Sequence, residues 1–242
     1  MLLVIRAGLL ATLQDQGRTG FRRLGLNPGG AMDTVAARLT NFLVGNEAGE
    51  GVLECHFPMG EFVFEKDTTV AFGGGDFKLT ANGLPLQNWR PYFFPASTRI
   101  ASSGLTSGAR LCVAVGGGFT VDRWLGSRST HLAAQAGGFQ GRALAAGDRL
   151  PFRKKEKSVS GKILPFPWSV SPEVVREIYE RGTVRLTPGP EWNWLTPAAQ
   201  TALAEQAFSI STLSNRMGYR LEGPPLEPRT TEELVSSAVT KG

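Results

Sequence analysis

The side chains of this sequence suited to acid–base or anion chemistry sit in short turns framed by glycine. In LQDQGRTG, residues 13–20, Asp15 stands three positions before Arg18, with Gln14 and Gly17 shaping the turn. A guanidinium so placed can grip a carboxylate through two parallel hydrogen bonds, and the neighbouring carboxylate can either hold that guanidinium or take a proton. The same letters also suit a surface turn with a weak ion pair. GSRST, residues 126–130, sets Arg128 among small hydroxyl residues, and SNRMGYRLEG, residues 214–223, gathers Asn215, Arg216, Tyr219 and Arg220. A fourth stretch, GGAMD at residues 29–33, places two glycines and Met32 directly before Asp33.

The elements that must position these groups follow from local pattern. Asp33 is a good helix N-cap, because its carboxylate can accept N–H groups that the first turn leaves unpaired. Val35, Leu39, Phe42 and Leu43 recur at helical spacing and Gly45-Asn46 supplies a stop, which predicts a helix near 33–45 with Asn41 on the face opposite the apolar one. Such a start, preceded by glycines, favours a bound anion as readily as a plain junction. LLVIRAG and LLATLQD, residues 2–15, read as two short strands around Gly8 rather than a signal peptide. VAFGGG at 70–75 echoes VAVGGG at 113–118, each an apolar strand running into glycines that permit a tight turn or a close backbone approach. Pro85, Pro91 and Pro95 suggest edge strands between residues 84 and 103. Further on, Thr196 and Pro197 form an N-cap and first helical position for PAAQTALAEQAF, and FSISTLSNRMGYRLEG reads as strand, polar turn and strand.

Composition narrows the function classes. Thirty glycines and fifteen prolines, with 19% charged residues, indicate a mainly β protein with a few helices and many turns. The formal charge of +5 does not indicate nucleic acid, because the basic residues are scattered apart from Arg153, Lys154, Lys155 and Lys157, which read as a solvated linker. Two cysteines, Cys55 and Cys112, and two histidines, His56 and His131, lack metal-ligand spacing, so no metal is expected, and two free thiols suit a cytoplasmic protein. No apolar run is long enough to cross a bilayer. The phosphate-loop pattern, the Gly-x-Ser-x-Gly elbow and the His-Glu-x-x-His helix are all missing.

Taken together, LLATLQDQGRTGFRRLGLNPGGAMD, NFLVGNEAGEGVLE, VAVGGGFTVDRWLGSRST, GRALAAGDRL and LSNRMGYRLEGPPL occur in the order found in one family. The sequence resembles the biotin-dependent carboxyltransferase family, which includes allophanate hydrolase subunit 2, the matching part of urea carboxylase, an antagonist of a sporulation-kinase inhibitor, and the C-type subunit of 5-oxoprolinase. The resemblance implies tandem cyclophilin-like β-barrel subdomains. Residues 1–152 would form the first, with the helix near 33–45 inserted, 153–182 a linker, and 183–242 the start of a second. Family members continue past this point through further strands and a Gln-Thr-Thr-Gly-Gly-Tyr-like segment, so the C-terminal part is expected to be incomplete. Gly29-Gly30 stand where many relatives have Ser-Gly.

The resemblance also implies a partner, a subunit resembling allophanate hydrolase subunit 1 or the kinase inhibitor, possibly with a third subunit. The expected activity is that of one subunit in an ATP-dependent 5-oxoprolinase, opening a small lactam to glutamate. The alternatives are biotin-dependent carboxyl transfer to urea or a related amide, and a non-catalytic regulator that binds a kinase inhibitor. There is no Met-Lys-Met biotinylation sequence, so biotin would enter only on another polypeptide and only under the first alternative. In this scheme Arg18, Arg128 or Arg216 holds a carboxylate and backbone N–H groups of Gly29-Gly30 stabilise a developing oxyanion. Asp15 or Asp33 orients water, making Asp15, Asp33 and Arg18 the expected catalytic set. Gln14, Gly29, Gly30, Met32, Asn41, Arg128, Asn215, Arg216 and Tyr219 would line the substrate site.

Overall fold

A computed structural model describes residues 1–153, 161–180, 182–216 and 218–232. Lys154, Lys155 and Lys157 of the basic cluster, and the last ten residues, lie outside the described residues. The chain divides into two compact units, Met1–Arg176 and Glu177–Gly242.

In chain order the first unit contains β1 (Leu2–Arg6), β2 (Ala11–Gln14), α1 (Thr34–Leu43), β3 (Val52–His56), β4 (Glu61–Phe64), β5 (Thr68–Asp76) and β6 (Leu79–Ala81). There follow β7 (Leu84–Pro85), β8 (Pro91–Phe94), β9 (Thr98–Ser102), β10 (Ser107–Val115), β11 (Arg149–Leu150) and β12 (Leu164–Pro165). The strands form two antiparallel sheets of six, ordered β11-β1-β4-β9-β6-β7 and β12-β8-β5-β10-β3-β2. The architecture is mainly β with few helices, and the described pairings leave both sheets open rather than closed into barrels.

Strand alternation decides what faces what, since successive side chains point to opposite sides of a sheet. On β2, β3 and β10 the residues Ala11, Leu13, Leu53, Cys55, Leu111, Val113 and Val115 enter the core, where they pack with Leu2, Val4, Phe62, Phe64 and Ile100 of the other sheet. Their neighbours Val52, Cys112 and Ala114 join Ala36 and Ala37 of α1 in a second, smaller cluster. By the same alternation Thr12, Gln14 and Glu54, all fully buried, belong to that second face. Both cysteines are buried and neither is joined in a disulfide among the described residues, and burial pushes the Cys55 thiol far above its ordinary value.

The two short strands around Gly8 are present, but they lie in different sheets. Gly8 marks the crossing: a Cβ there would fall 2.3 Å from Gly60 N and 2.5 Å from Pro58 O, so the chain passes there only without a side chain. The glycine echo resolves into two different devices. Gly73, Gly74 and Gly75 stay within β5, where a Cβ on Gly73 would meet Trp89 at 2.6 Å and Thr40 at 2.8 Å. Gly116 to Gly118 instead end β10 in a turn, with Gly117 and Gly118 at positive φ.

That close seat corrects the expected face of α1. Ala36, Ala37, Thr40 and Asn41 are buried together with Leu43 of the expected stripe, and Leu39 packs partly buried against the same cluster, whereas Val35 and Phe42 are 40% and 58% exposed. A helix lying on glycines needs small residues beneath it, and this requirement turns Val35 and Phe42 of the apolar stripe outward while Leu39 and Leu43 keep the packed side. The proline-rich segment is likewise corrected. Only β7 is an edge; β8 is paired on both sides, by β12 and β5, and β9 lies between β4 and β6. Pro91 opens β8 and Pro95 follows it, so neither removes a donor from the middle of the ladder.

The segment after residue 161 is bound to the first unit through β12, through Trp168 Nε1 donating to Leu43 O at 3.2 Å, and through Val170 N donating to Trp89 O. Helix α2 (Pro172–Tyr179) spans the division between units. The second unit holds α3 (Pro197–Glu205), capped by Thr196 with Pro197 in its first turn, and the pair β13 (Ser209–Ile210) and β14 (Leu221–Glu222). No helix among the described residues is long and apolar enough to cross a membrane.

Candidate functional site

Asp15 leaves the end of β2 and becomes the centre of a buried polar knot with a segment more than a hundred residues away. Its carboxylate accepts from the Ser127 and Ser129 hydroxyls at 2.6 Å each, from Arg128 N at 2.6 Å, and from Gly17 N at 2.7 Å. Its own N–H donates to Ser129 Oγ at 2.9 Å, and its carbonyl accepts from Ala31 N at 2.8 Å. With the residue 5% exposed, four charge-assisted bonds satisfy both oxygens. Thr130 continues the pairing, giving its N–H and hydroxyl to Leu13 O. Segment 127–130 is thus tied to the end of β2 mainly through side chains.

Arg18 lies against this knot, 2% exposed. Its Nη2 donates to Ser129 O at 2.6 Å, and its guanidinium carbon stands 4.6 Å from the centroid of the Trp124 ring. Nε and Nη1 have no hydrogen-bond partner among the described residues. Desolvation lowers the Arg18 pKa, and the charge of Asp15 opposes that shift. Two glycines make room: a Cβ on Gly29 would come 3.0 Å from Nη1, and one on Gly137 would come 2.4 Å from Ser129 O. Gly29 and Gly30 both adopt positive φ, which lays the 28–31 turn on the backbone of residues 15–18, with Arg18 N donating to Pro28 O at 2.8 Å.

Arg128, 9% exposed, has Nη1 3.5 Å from Glu50 Oε1 and a buried Nε without a partner among the described residues. Desolvation lowers its pKa; Glu50 and Asp15 oppose this, and the charges of Arg153 and Arg123 add to it. Glu50 also meets Arg153 Nη2 and the N–H of Gly51.

The remaining expected residues fall into three places. Gln14 is fully buried beside Thr12, its Nε2 donating to Thr12 Oγ1 at 2.9 Å and Thr130 O at 3.3 Å while Oε1 finds no partner among the described residues. Met32 N donates to Glu54 Oε2 at 2.6 Å, and Asp33 Oδ1 accepts from Ala36 N at 2.8 Å as the cap of α1. Asn41 is fully buried with its amide engaged, Nδ2 donating to Glu50 O at 2.8 Å and Oδ1 accepting from Asn46 at 3.0 Å, which anchors the loop carrying Glu50. Asn215, Arg216 and Tyr219 belong to the second unit, between β13 and β14, where Tyr219 is 50% exposed.

The structure therefore brings Gln14, Asp15, Arg18, Gly29, Gly30, Met32 and Arg128 into one neighbourhood of the first unit. Sequence reasoning missed Glu50, Glu54, Trp124, Ser127 and Ser129. The alternating Ser-Arg-Ser-Thr run, which points hydroxyls to one side of an extended segment, was the available signal for the last two. His131 lies beside this region, Nδ1 accepting from Ala134 N and the ring set edge-on to Trp124. No group of three or more His, Cys, Asp or Glu able to hold a metal ion occurs among the described residues.

The model of the carboxyltransferase domain, subdomains A and B, matches residues 24–242. This chain belongs to that family. It is 36% identical over 246 residues to the C-type subunit of 5-oxoprolinase from Escherichia coli (strain K12), a match covering 100% of this chain and 75% of that protein. It is 31% identical over 234 residues to the corresponding 5-oxoprolinase subunit of Haemophilus influenzae, covering 96% of this chain and 72% of that one. Among solved structures, the K. lactis urea amidolyase superposes with a TM-score of 0.80 at 28% identity over 95% of this chain, which spans only 14% of that much larger protein.

Proposed function

We propose that the chain is one subunit of a cytoplasmic, ATP-dependent 5-oxoprolinase, acting beside a partner that resembles allophanate hydrolase subunit 1 and possibly a third subunit. The observation that carries this reading is the 36% identity to the C-type subunit of a 5-oxoprolinase, sustained over the whole chain and three quarters of the E. coli protein. Opening the lactam adds water across its C–N bond and leaves the amine and a second carboxylate of glutamate. This sequence has no phosphate loop of the Gly-x-x-x-x-Gly-Lys-Ser/Thr kind, so in this proposal nucleotide handling belongs to the partners.

Within such an assembly Asp15 serves as a positioning residue rather than a proton acceptor, because four donors already occupy its carboxylate. Asp33 is similarly committed to capping α1. Co-expressing the chain with its partner subunits and following glutamate release from 5-oxoproline tests the proposal. ATP-dependent release that needs this chain supports it, and a purified complex with no such activity contradicts it.

The TM-score of 0.80 against a urea amidolyase favours a second reading, carboxyl transfer from carboxybiotin to urea or a related amide. Streptavidin blotting of the native complex separates the two, since only carboxyl transfer requires a biotinylated partner. A complex that assembles, carries no biotin and hydrolyses nothing would leave the regulatory alternative.

A further inference from the structure

We infer that Arg18 forms a receptor site for a carboxylate within the first unit of this chain. A guanidinium carries five N–H donors in a fork matched to planar oxyanions. Here only Nη2 meets an acceptor, Ser129 O, while Nε and Nη1 are buried without a partner among the described residues. Arg18 is 2% exposed, so water offers little compensation, and a buried charge left without partners is costly.

The obvious counter-ion is taken. Asp15 acts on Arg18 electrostatically, yet its four acceptor bonds go to Ser127, Ser129, Arg128 and Gly17. The wider surroundings repeat the imbalance. Arg128 nearby is in a similar position, its charge opposed by Glu50 and Asp15 but repelled by Arg153 and Arg123. The Nη1 end of the fork meets the side of Gly29 that bears no side chain, and a Cβ there would close to 3.0 Å. Trp124 covers the flat face at 4.6 Å and is itself half-buried, next to exposed Asp122 and Arg123, so the in-plane N–H edges are left for a carboxylate.

The ligand class is a small monocarboxylate. On the proposed function, from which the identity of the acid is taken, it is the ring carboxylate of 5-oxoproline, recognised through its charge and not through its amide. Urea, being neutral, would make no use of the site.

Isothermal titration of the full chain, alone, with four probes tests this: 5-oxoproline, acetate, bicarbonate, and 2-pyrrolidinone, the same lactam without its carboxylate. The expected result is binding of 5-oxoproline and acetate in competition with each other, no binding of 2-pyrrolidinone, and affinity reduced about ten- to hundredfold by Arg18→Gln and Arg18→Lys. Gly29→Ala keeps the charge but crowds Nη1, and weakens binding in the same sense even if Arg18→Gln fails to fold. Equal binding of 2-pyrrolidinone, binding indifferent to Arg18→Lys and Gly29→Ala, or no carboxylate binding at all overturns the site. Bicarbonate bound through Arg18 with 5-oxoproline excluded overturns the assignment to a lactam acid. A chain that binds 5-oxoproline through Arg18, in a complex that releases no glutamate, keeps the site and removes the oxoprolinase reading. An active complex without Arg18-dependent binding does the reverse.

Discussion

Two arginines of the first unit rest on aromatic rings, and their surroundings could hardly differ more. Arg142 lies 5.5 Å from the Phe139 ring and is fully met: both oxygens of Asp148 accept from it at 2.7 and 2.8 Å, with Ala143 O and Gln140 Oε1 adding two more acceptors. Its side chain is nevertheless 41% exposed, where water would serve almost as well. Arg18, 2% exposed over Trp124, has one acceptor. The exposed guanidinium with the least need of partners has four, and the buried one with the greatest need has one. Arg142 completes its bonds within the fold, whereas Arg18 leaves both Nε and Nη1 unmet among the described residues, where Arg90, Arg110 and Arg128 leave only Nε; the proposed carboxylate site rests on that difference.

Substitutions at five positions break or sharpen this contrast, in decreasing order of expected effect. Asp15→Ala removes the acceptor of three buried donors and one part-buried donor and should destabilise the first unit by about 3–5 kcal/mol in urea unfolding; a loss below about 1 kcal/mol would mean the knot organises nothing. Gly29→Ala, at φ +63° and against Nη1, should cost about 1 kcal/mol through backbone strain alone. A much larger loss would show that the turn rather than the guanidinium dominates there. Arg18→Met should be within about 1 kcal/mol of the parent, or more stable, because it removes a desolvated charge, while the assembled complex loses turnover. Arg142→Met should cost less than about 1 kcal/mol and leave turnover intact, as for an exposed pair. The smallest effect is in acid. Arg142 holds the Asp148 carboxyl below the usual carboxylate range, so its contribution is present above about pH 4 and fades as the pH falls further. Asp148→Asn should therefore flatten the loss of stability below about pH 4 by less than about 1 kcal/mol, checked by thermal melts between about pH 2 and pH 6.

How much of this was legible beforehand depends on the range of the interaction. Local chemistry could be read: Asp33 and Thr196 cap their helices, and the Gly8 break separates two strands. The buried face of α1 could not, because Ala36, Ala37 and Thr40 are selected by a seat on Gly73 and Gly74 that only the fold brings beneath them. Pro91 and Pro95 suggested edges for β8, yet they bracket the strand instead of interrupting it. At the candidate site, Asp15, Arg18 and Arg128 stood out by type, but the partners that define them did not. Ser127 and Ser129 meet Asp15 across 112 and 114 residues, and no local period reports such a register. Asn41, expected at the substrate, is spent on Glu50 and Asn46, a pairing set by the loop that follows the helix.

The most direct test is to follow the Arg Nε–H resonances of the isotope-labelled chain by 15N NMR during titration with 5-oxoproline. The account predicts that the Arg18 resonance, identified by its loss in Arg18→Lys, moves saturably and becomes protected from exchange while that of Arg142 stays fixed. An Arg18 signal that does not move, or one that drifts in step with Arg142, would contradict it.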